Sequence, residues 1–191
     1  MITTLSNIAT IHSGIYTQPK LNGEVYYIQA RHFDNDLRFN FNTSPELELD
    51  KKTEKHLLRP GDVLVAAKGI DAFAVEYKGI VKPAVASSIF LIIRLMDKEV
   101  VLPGYLSWYI NQPKTKLYLQ TSSKGTSLQS ITKADLEKIE IPIPPVKTQE
   151  LILQIHGLSL KDKELKNKIQ ILKEQLIQTQ LYQTITQENG K

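Results

Sequence analysis

Ile139-Glu140-Ile141-Pro142-Ile143-Pro144-Pro145 leads directly into a run whose apolar residues fall at Leu151, Ile155, Leu158, Leu165, Ile169, Leu172 and Leu176. The spacing alternates four and three, with Asp162 as the single polar break. That repeat holds one narrow stripe along an α-helix, the seam of a coiled coil. The preceding run alternates apolar and polar and then becomes too Pro-rich for a central strand. It is expected as an edge strand or extended connector, with the helix starting near Val146. At 1.5 Å per residue, roughly 40 residues reach about 60 Å, longer than a small domain is wide. The chain has no second helical segment of similar length to cover the seam. The expected partner is therefore a second copy or another protein. The expected fold class is α+β: a globular domain over 1–145 with a small mixed or antiparallel sheet and short helices, then one coiled-coil helix over 146–191.

Ahead of the prolines the pattern changes repeatedly. Leu5, Ile8 and Ile11, closed by Ser13-Gly14, predict a short helix. Val25 to Ala30 is aromatic and β-branched and predicts a strand. Asp34-Asn35-Asp36 predicts a turn, and Leu37 to Asn42 a short edge strand. Thr43 to Arg59 is polar. Pro60-Gly61-Asp62 is a turn signature that launches the buried strand Val63 to Ala67. Phe73–Tyr77 and Ser88–Leu95 predict further strands. Pro103 opens a helix through Ile110, and Pro113 a second through Leu119. Thr121 to Ser130 reads as a loop. Thr132 N-caps a helical turn that ends at Lys138.

Bulk composition narrows the chemistry. The chain has 191 residues, a formal charge of +4 and no cysteine, so disulfides, cysteine metal sites and thiol catalysis are excluded. The mild basic balance permits a polyanionic partner without requiring one. Met1 to Leu5 lacks a basic segment followed by an apolar run, and the apolar run Ser88–Leu95 is too short to span a bilayer. The expectation is a cytoplasmic protein with no membrane partner.

Several motifs invite chemistry. Asp62, Glu76 and Lys78 imitate the two carboxylates and lysine of a small magnesium-dependent nuclease, although Gly61 interrupts the Pro-Asp pair. The structural alternative is a turn aspartate and an exposed Glu–Lys pair. Ile143-Pro144-Pro145-Val146 lacks the Asn and the aromatic that an adenine methyltransferase places around Pro-Pro. Lys124-Gly125-Thr126-Ser127 has its lysine on the wrong side of the glycine for a phosphate loop. His12, His32, His56 and His156 are too dispersed for metal-ligand spacing, so no metal, cofactor or catalytic residue is expected. What remains is a set of polar, basic and aromatic loop residues of the kinds that read base edges and neutralise phosphates. These candidates are Tyr16, Gln18, Lys20, Gln29, Arg31, His32, Lys68, Lys78, Lys82, Lys124, Thr126, Ser127 and Gln129. Arg31 suits guanine, Gln29 or Gln129 adenine, and the lysines phosphates.

Taken in order, the segments resemble the target recognition domain and following helix of the specificity (S) subunit of Type I restriction–modification systems. The residues that carry this are Leu5…Ile8…Ile11…Gly14; Leu58…Pro60-Gly61-Asp62-Val63-Leu64-Val65; and Ser87-Ser88 before an apolar strand. They continue with Leu102-Pro103…Tyr105-Leu106…Trp108-Tyr109-Ile110-Asn111, then Gly125-Thr126…Gln129…Ile131. The last is Leu136…Ile139…Ile141-Pro142-Ile143-Pro144-Pro145…Gln149. The usual family member carries two recognition domains and two long helices, so this chain resembles a half subunit. The resemblance implies sequence-specific binding of double-stranded DNA without catalysis, with modification (M, methyltransferase) and restriction (R) subunits as partners. The seam Leu151, Ile155, Leu158, Asp162, Leu165, Ile169, Leu172 and Leu176 is then expected to form a homodimer. In that pair Asp162 could face Lys166 or Lys173 of the second copy. A metal-dependent nuclease and a coiled-coil adaptor that binds protein are the alternatives.

Overall fold

The computed structural model describes residues 1–19, 23–40, 43–68, 72–122 and 130–188. The strands are β1 (Ile2–Thr4), β2 (Ala9–Ser13), β3 (Tyr26–Ile28), β4 (Asp62–Ala66), β5 (Ala74–Tyr77), β6 (Ala84–Ala86), β7 (Phe90–Leu95) and β8 (Glu140–Pro142). The helices are α1 (Lys51–Lys55), α2 (Pro103–Ile110), α3 (Pro113–Ser122), α4 (Lys133–Glu137) and α5 (Val146–Glu188). The class is α+β, with a long C-terminal helix as expected. Two compact units are distinguished, Met1–Leu153 and Gln154–Lys191.

The first unit is organised on β4. Gly61 takes φ +89° in the turn ahead of it, a conformation that costs glycine nothing. β4 then pairs antiparallel with β5 and β7, and β7 with β2, in the order β2-β7-β4-β5. All of β4 is buried. Val63 and Val65 pack with Leu106 and Ile110 of α2, while Leu64 and Ala66 pack with Ile28, Phe90 and Ile92. Both faces are covered, which is why the strand reads as an unbroken apolar run. β3 and β6 form a parallel pair, and β1 and β8 an antiparallel one.

Two local expectations are corrected and two elements are added. Leu5 to Ile11 is not a helix: Leu5–Asn7 make one 3-10 turn between β1 and β2. The Leu5 amide donates to the Ile139 carbonyl at 2.9 Å, and in β2 Ala9 and Ile11 face inward while Thr10 and His12 face out. The β-branched Ile and Thr content and the long-range ladder outweigh the three-residue spacing. Leu37 to Asn42 forms no strand over its described residues, only a single bridge, Phe33 to Phe39. The polar stretch holds α1, capped by Asp50 Oδ1, which accepts from the amides of Lys52 at 2.9 Å and Thr53 at 2.7 Å. β6 stands between Lys82-Pro83 and Ser87, a three-residue Ala-Val-Ala strand too short to show a period.

α2 starts at Pro103 and is fastened to β5 by polar side chains. Ser107 donates to the Ala74 carbonyl at 3.0 Å, and Asn111 accepts from the Ala74 amide at 2.9 Å while donating to its carbonyl at 2.7 Å. The start of α5 is fastened by Gln149, which is fully buried. Its Oε1 accepts from the Leu102 amide, and its Nε2 donates to the carbonyls of Val100 and Pro144, each at 2.9 Å. A buried amide with its hydrogen bonds made fixes direction as well as position.

The second unit is helix throughout its described residues. Its part of the seam is Ile155, Leu158, Leu165, Ile169, Leu172 and Leu176, each at least 51 % exposed. Continuing the four-three spacing past Leu176 reaches Thr179 and Gln183, while Ile177 and Leu181 leave the stripe. The apolar seam therefore ends at Leu176. Asp162 Oδ2 lies 2.6 Å from Lys166 Nζ of the same helix. Within one chain Lys166 is thus already Asp162's partner, at the i,i+4 spacing that favours such pairs.

Candidate nucleic-acid interface

The nuclease arrangement does not assemble. Asp62 is fully buried and its carboxylate is occupied: Oδ1 accepts from Arg94 Nε at 2.8 Å, and Oδ2 from an Arg94 terminal nitrogen at 2.7 Å and the Arg59 amide at 2.8 Å. Asp62 stands opposite Tyr77 in the β4–β5 ladder, whereas Glu76 stands opposite Val63. Successive strand residues face opposite sides, so the two carboxylates are on different faces and cannot share a cation. Among the described residues no group of three or more His, Cys, Asp or Glu side chains could hold a metal ion. Burial pushes the neighbouring Tyr77 hydroxyl up to about 12, so it remains a donor, to the Val81 carbonyl.

The loop candidates divide between two ends of the sheet. At one end β2, β3, β4 and β6 finish and β5 and β7 begin. The Gly14 amide donates to the Phe90 carbonyl, Ile15 to Ala86 and Ser87 to Ile28, each at 2.9 Å. The approach at Gly14 is so close that a Cβ there would stand 2.1 Å from the Ser87 carbonyl oxygen, which only glycine avoids. Tyr16 follows this junction and is 75 % exposed. Gln29 follows β3 and precedes a 3-10 turn, Ala30–His32, that carries Arg31 and His32. Phe33 anchors that turn, its ring 5.7 Å from Phe73 and 6.1 Å from Phe90. Lys68 follows β4 and is bridged to Ser130. Gln18 is exposed in the segment after Tyr16.

Lys78 and Lys82 are exposed at the opposite end, where β5 finishes and β6 begins. They are not brought together with the Arg31 group. Lys20, Lys124, Thr126, Ser127 and Gln129 lie outside the described residues.

Around Arg31 the structure adds a residue that the sequence reading passed over. Glu46 Oε1 is 3.9 Å from an Arg31 terminal nitrogen, and its Oε2 is buried with no hydrogen-bond partner among the described residues. Its only sequence signal was a charge inside a polar stretch. The Arg31 side chain stays 63 % exposed and His32 half-buried, edge-on to Phe39 at 6.1 Å. Burial pushes His32 below its ordinary value and Arg31 pushes it further, while Glu46 opposes them. Lys52 Nζ donates to the Tyr16 carbonyl at 3.2 Å, fixing the other loop of this end.

With this geometry, residues 2–178 match the family model for the Type I restriction modification DNA specificity domain. No curated protein matches the chain. Among solved structures, the S subunit of the Type I restriction–modification system from M. genitalium aligns at 16 % identity and TM-score 0.55, over 87 % of this chain and 40 % of that one. The HsdS subunit from Thermoanaerobacter tengcongensis aligns at 17 % and 0.56, over 85 % and 37 %. A structure described as the basis of complex assembly and conformational transition of the type I R-M system aligns at 18 % and 0.55, over 85 % and 38 %. At these identities the likeness is one of fold. The chain spans about two fifths of the length of each.

Proposed function

From the premise that this chain belongs to the Type I restriction–modification DNA specificity family, we propose that it is a non-catalytic, cytoplasmic, sequence-specific DNA-binding subunit that works as a homodimer. Residues 1–145 read one half-site of double-stranded DNA. Residues 146–191 form the dimerisation and spacer helix and dock the methyltransferase (M) subunit, with the restriction (R) subunit joining the assembly. The observation that carries this reading is a helix within the family match whose apolar seam is exposed along its length.

The seam is self-complementary in an antiparallel pair. Leu151 opposes Leu176 of the second copy, Ile155 opposes Leu172, Leu158 opposes Ile169, and Asp162 opposes Leu165. A parallel pair would instead set Asp162 against Asp162, two like charges in an apolar core. A two-fold protein favours a two-fold target, so the expected site is a split palindrome with two inverted half-sites. Asp62's engagement with Arg94 supports leaving strand cleavage to partners. The test is target selection from a random duplex pool, read by gel shift and methylation mapping. An interrupted palindrome is expected; an asymmetric, uninterrupted target overturns the dimeric reading.

A further inference from the structure

The connector Pro142-Ile143-Pro144-Pro145 carries a single backbone amide, so sheet pairing alone cannot hold it. That amide, of Ile143, donates to the Met1 carbonyl at 2.7 Å. The carbonyls are met by side chains from elsewhere. The Tyr105 hydroxyl donates to the Pro142 carbonyl at 2.7 Å, and Gln149 Nε2 to that of Pro144 at 2.9 Å. Just ahead, in β8, the Tyr109 hydroxyl donates to the Glu140 carbonyl at 3.0 Å. Both tyrosines stand on α2. The same helix presents Gly104 to α5, so closely that a Cβ there would lie 3.1 Å from Leu153 Cδ1. Ile152 packs on the core that includes Leu106 and Ile110 of α2. Farther along, α2 is tied to Ala74 of β5 through Ser107 and Asn111. It thus braces β5, the connector and the first two turns of α5 together.

We infer that Gln149 and the Gly104–Leu153 contact lock this connector into a rigid elbow, and that the elbow makes the protein select one spacer length between its half-sites. This rests on the dimeric DNA-reading function proposed above. One added base pair moves the half-sites apart by about 3.4 Å and turns one of them about the duplex axis by roughly 35°. The DNA between them is far shorter than its persistence length of about 150 base pairs, so it does not absorb the change by bending. A recognition unit on a free swivel would follow the change at little cost. With the elbow locked, following it breaks the bonds of Gln149 to Leu102, Val100 and Pro144. Gln149 is fully buried, so water does not replace them. Gln149 and Leu153 are therefore positioning residues: they touch no base and act through the direction they give to the start of α5.

The test uses the full-length protein and duplexes selected from a random pool, with the spacer lengths counted. Wild type is expected to select one length and to bind a site one base pair longer or shorter at least about tenfold more weakly, the cost of breaking one or two buried hydrogen bonds. Gln149→Leu removes all of those bonds and should cut the discrimination below about threefold, with the half-site sequences unchanged. Gly104→Leu puts a side chain where Leu153 lies and leaves Gln149 intact. It should broaden the spacing too, and it carries the test if Gln149→Leu does not fold. Asp62→Ala weakens the fold away from the elbow and should leave the spacing sharp, which separates positioning from general destabilisation. A wild-type protein that binds several spacer lengths equally overturns the inference. So do elbow variants that keep the wild-type discrimination, and so does equal broadening by Asp62→Ala. A wild-type protein that selects no interrupted palindrome overturns the dimeric reading itself, and the inference with it.

Discussion

Gln149 and Asp162 are polar residues on the same helix, and they are governed by opposite physics. Gln149 is sealed from solvent, with its amide spent on the Leu102 amide and on the carbonyls of Val100 and Pro144. The Asp162 side chain is 59 % exposed and pairs with Lys166 one turn on. The same contrast holds for the two units. In the first, polar groups such as Asp62, Ser107 and Asn111 are satisfied by partners distant in sequence. In the second, the side chains from Gln154 to Ile185 stand exposed apart from Leu160, apolar ones included. One unit has completed its structure within the chain. The other presents a pattern that a second chain can complete.

The sharpest way to break that contrast is to strip Arg94, whose side chain is a quarter exposed, of its buried partner in the first unit. Asp62→Ala removes the carboxylate from Arg94 and from the Arg59 amide. The expected loss is about 3 kcal/mol, the lower end for a buried pair, because water reaches the Arg94 left behind. For a domain of this size that lowers the unfolding midpoint by roughly 10 °C, read by circular dichroism or calorimetry. A shift below about 2 °C would mean that the pair is as solvent-screened as a surface bridge.

The next change should leave the first unit intact while abolishing assembly. Leu158→Lys with Leu172→Lys places charges in four apolar layers of the antiparallel seam, opposite Ile169 and Ile155. Sedimentation is expected to show the mass falling from dimer to monomer. The unfolding midpoint of the first unit should move by less than about 0.5 kcal/mol equivalent, as for substitutions at exposed sites. An unchanged mass would show that the seam is not the dimer interface.

Sequence legibility follows the same division. The seam, the Pro60-Gly61-Asp62 turn, β4, α2 and the Thr132 cap were readable because each is set by local period or turn chemistry. Leu5 to Ile11 was misread because a three-residue spacing fits both a helix and a strand–turn–strand, and only the pairing with Ile139 and β7 decides. β6 and the grouping of loops at one sheet end depend on which strands adjoin, which no local pattern states. Arg31 and His32 were legible as residue types. Their geometry was not, since it requires Glu46 and Phe39 from elsewhere in the chain. Lys78 and Lys82 show the converse: suitable chemistry that the strand arrangement sets at the opposite end of the sheet from the Arg31 group.

Asp162→Leu gives the smallest expected effect and tests the contrast at its most delicate position. Within one helix it removes the pair with Lys166, worth about 0.3–0.5 kcal/mol. In an antiparallel dimer it replaces two Asp–Leu layers with Leu–Leu layers, so the dimer should dissociate at lower concentration than wild type does. The same change removes the reason to avoid a parallel pair, in which the two aspartates would have met. Orientation should therefore loosen as affinity rises. The chain has no cysteine, so engineered ones report cleanly. With Leu151→Cys and Leu176→Cys in one chain, oxidised wild-type background should cross-link 151 to 176 and not 151 to 151. In the Asp162→Leu background, 151-to-151 links should appear as well. A dimer weakened by Asp162→Leu would mean that Asp162 makes a favourable contact across the interface, and the seam would have to be redrawn with that residue outside the core.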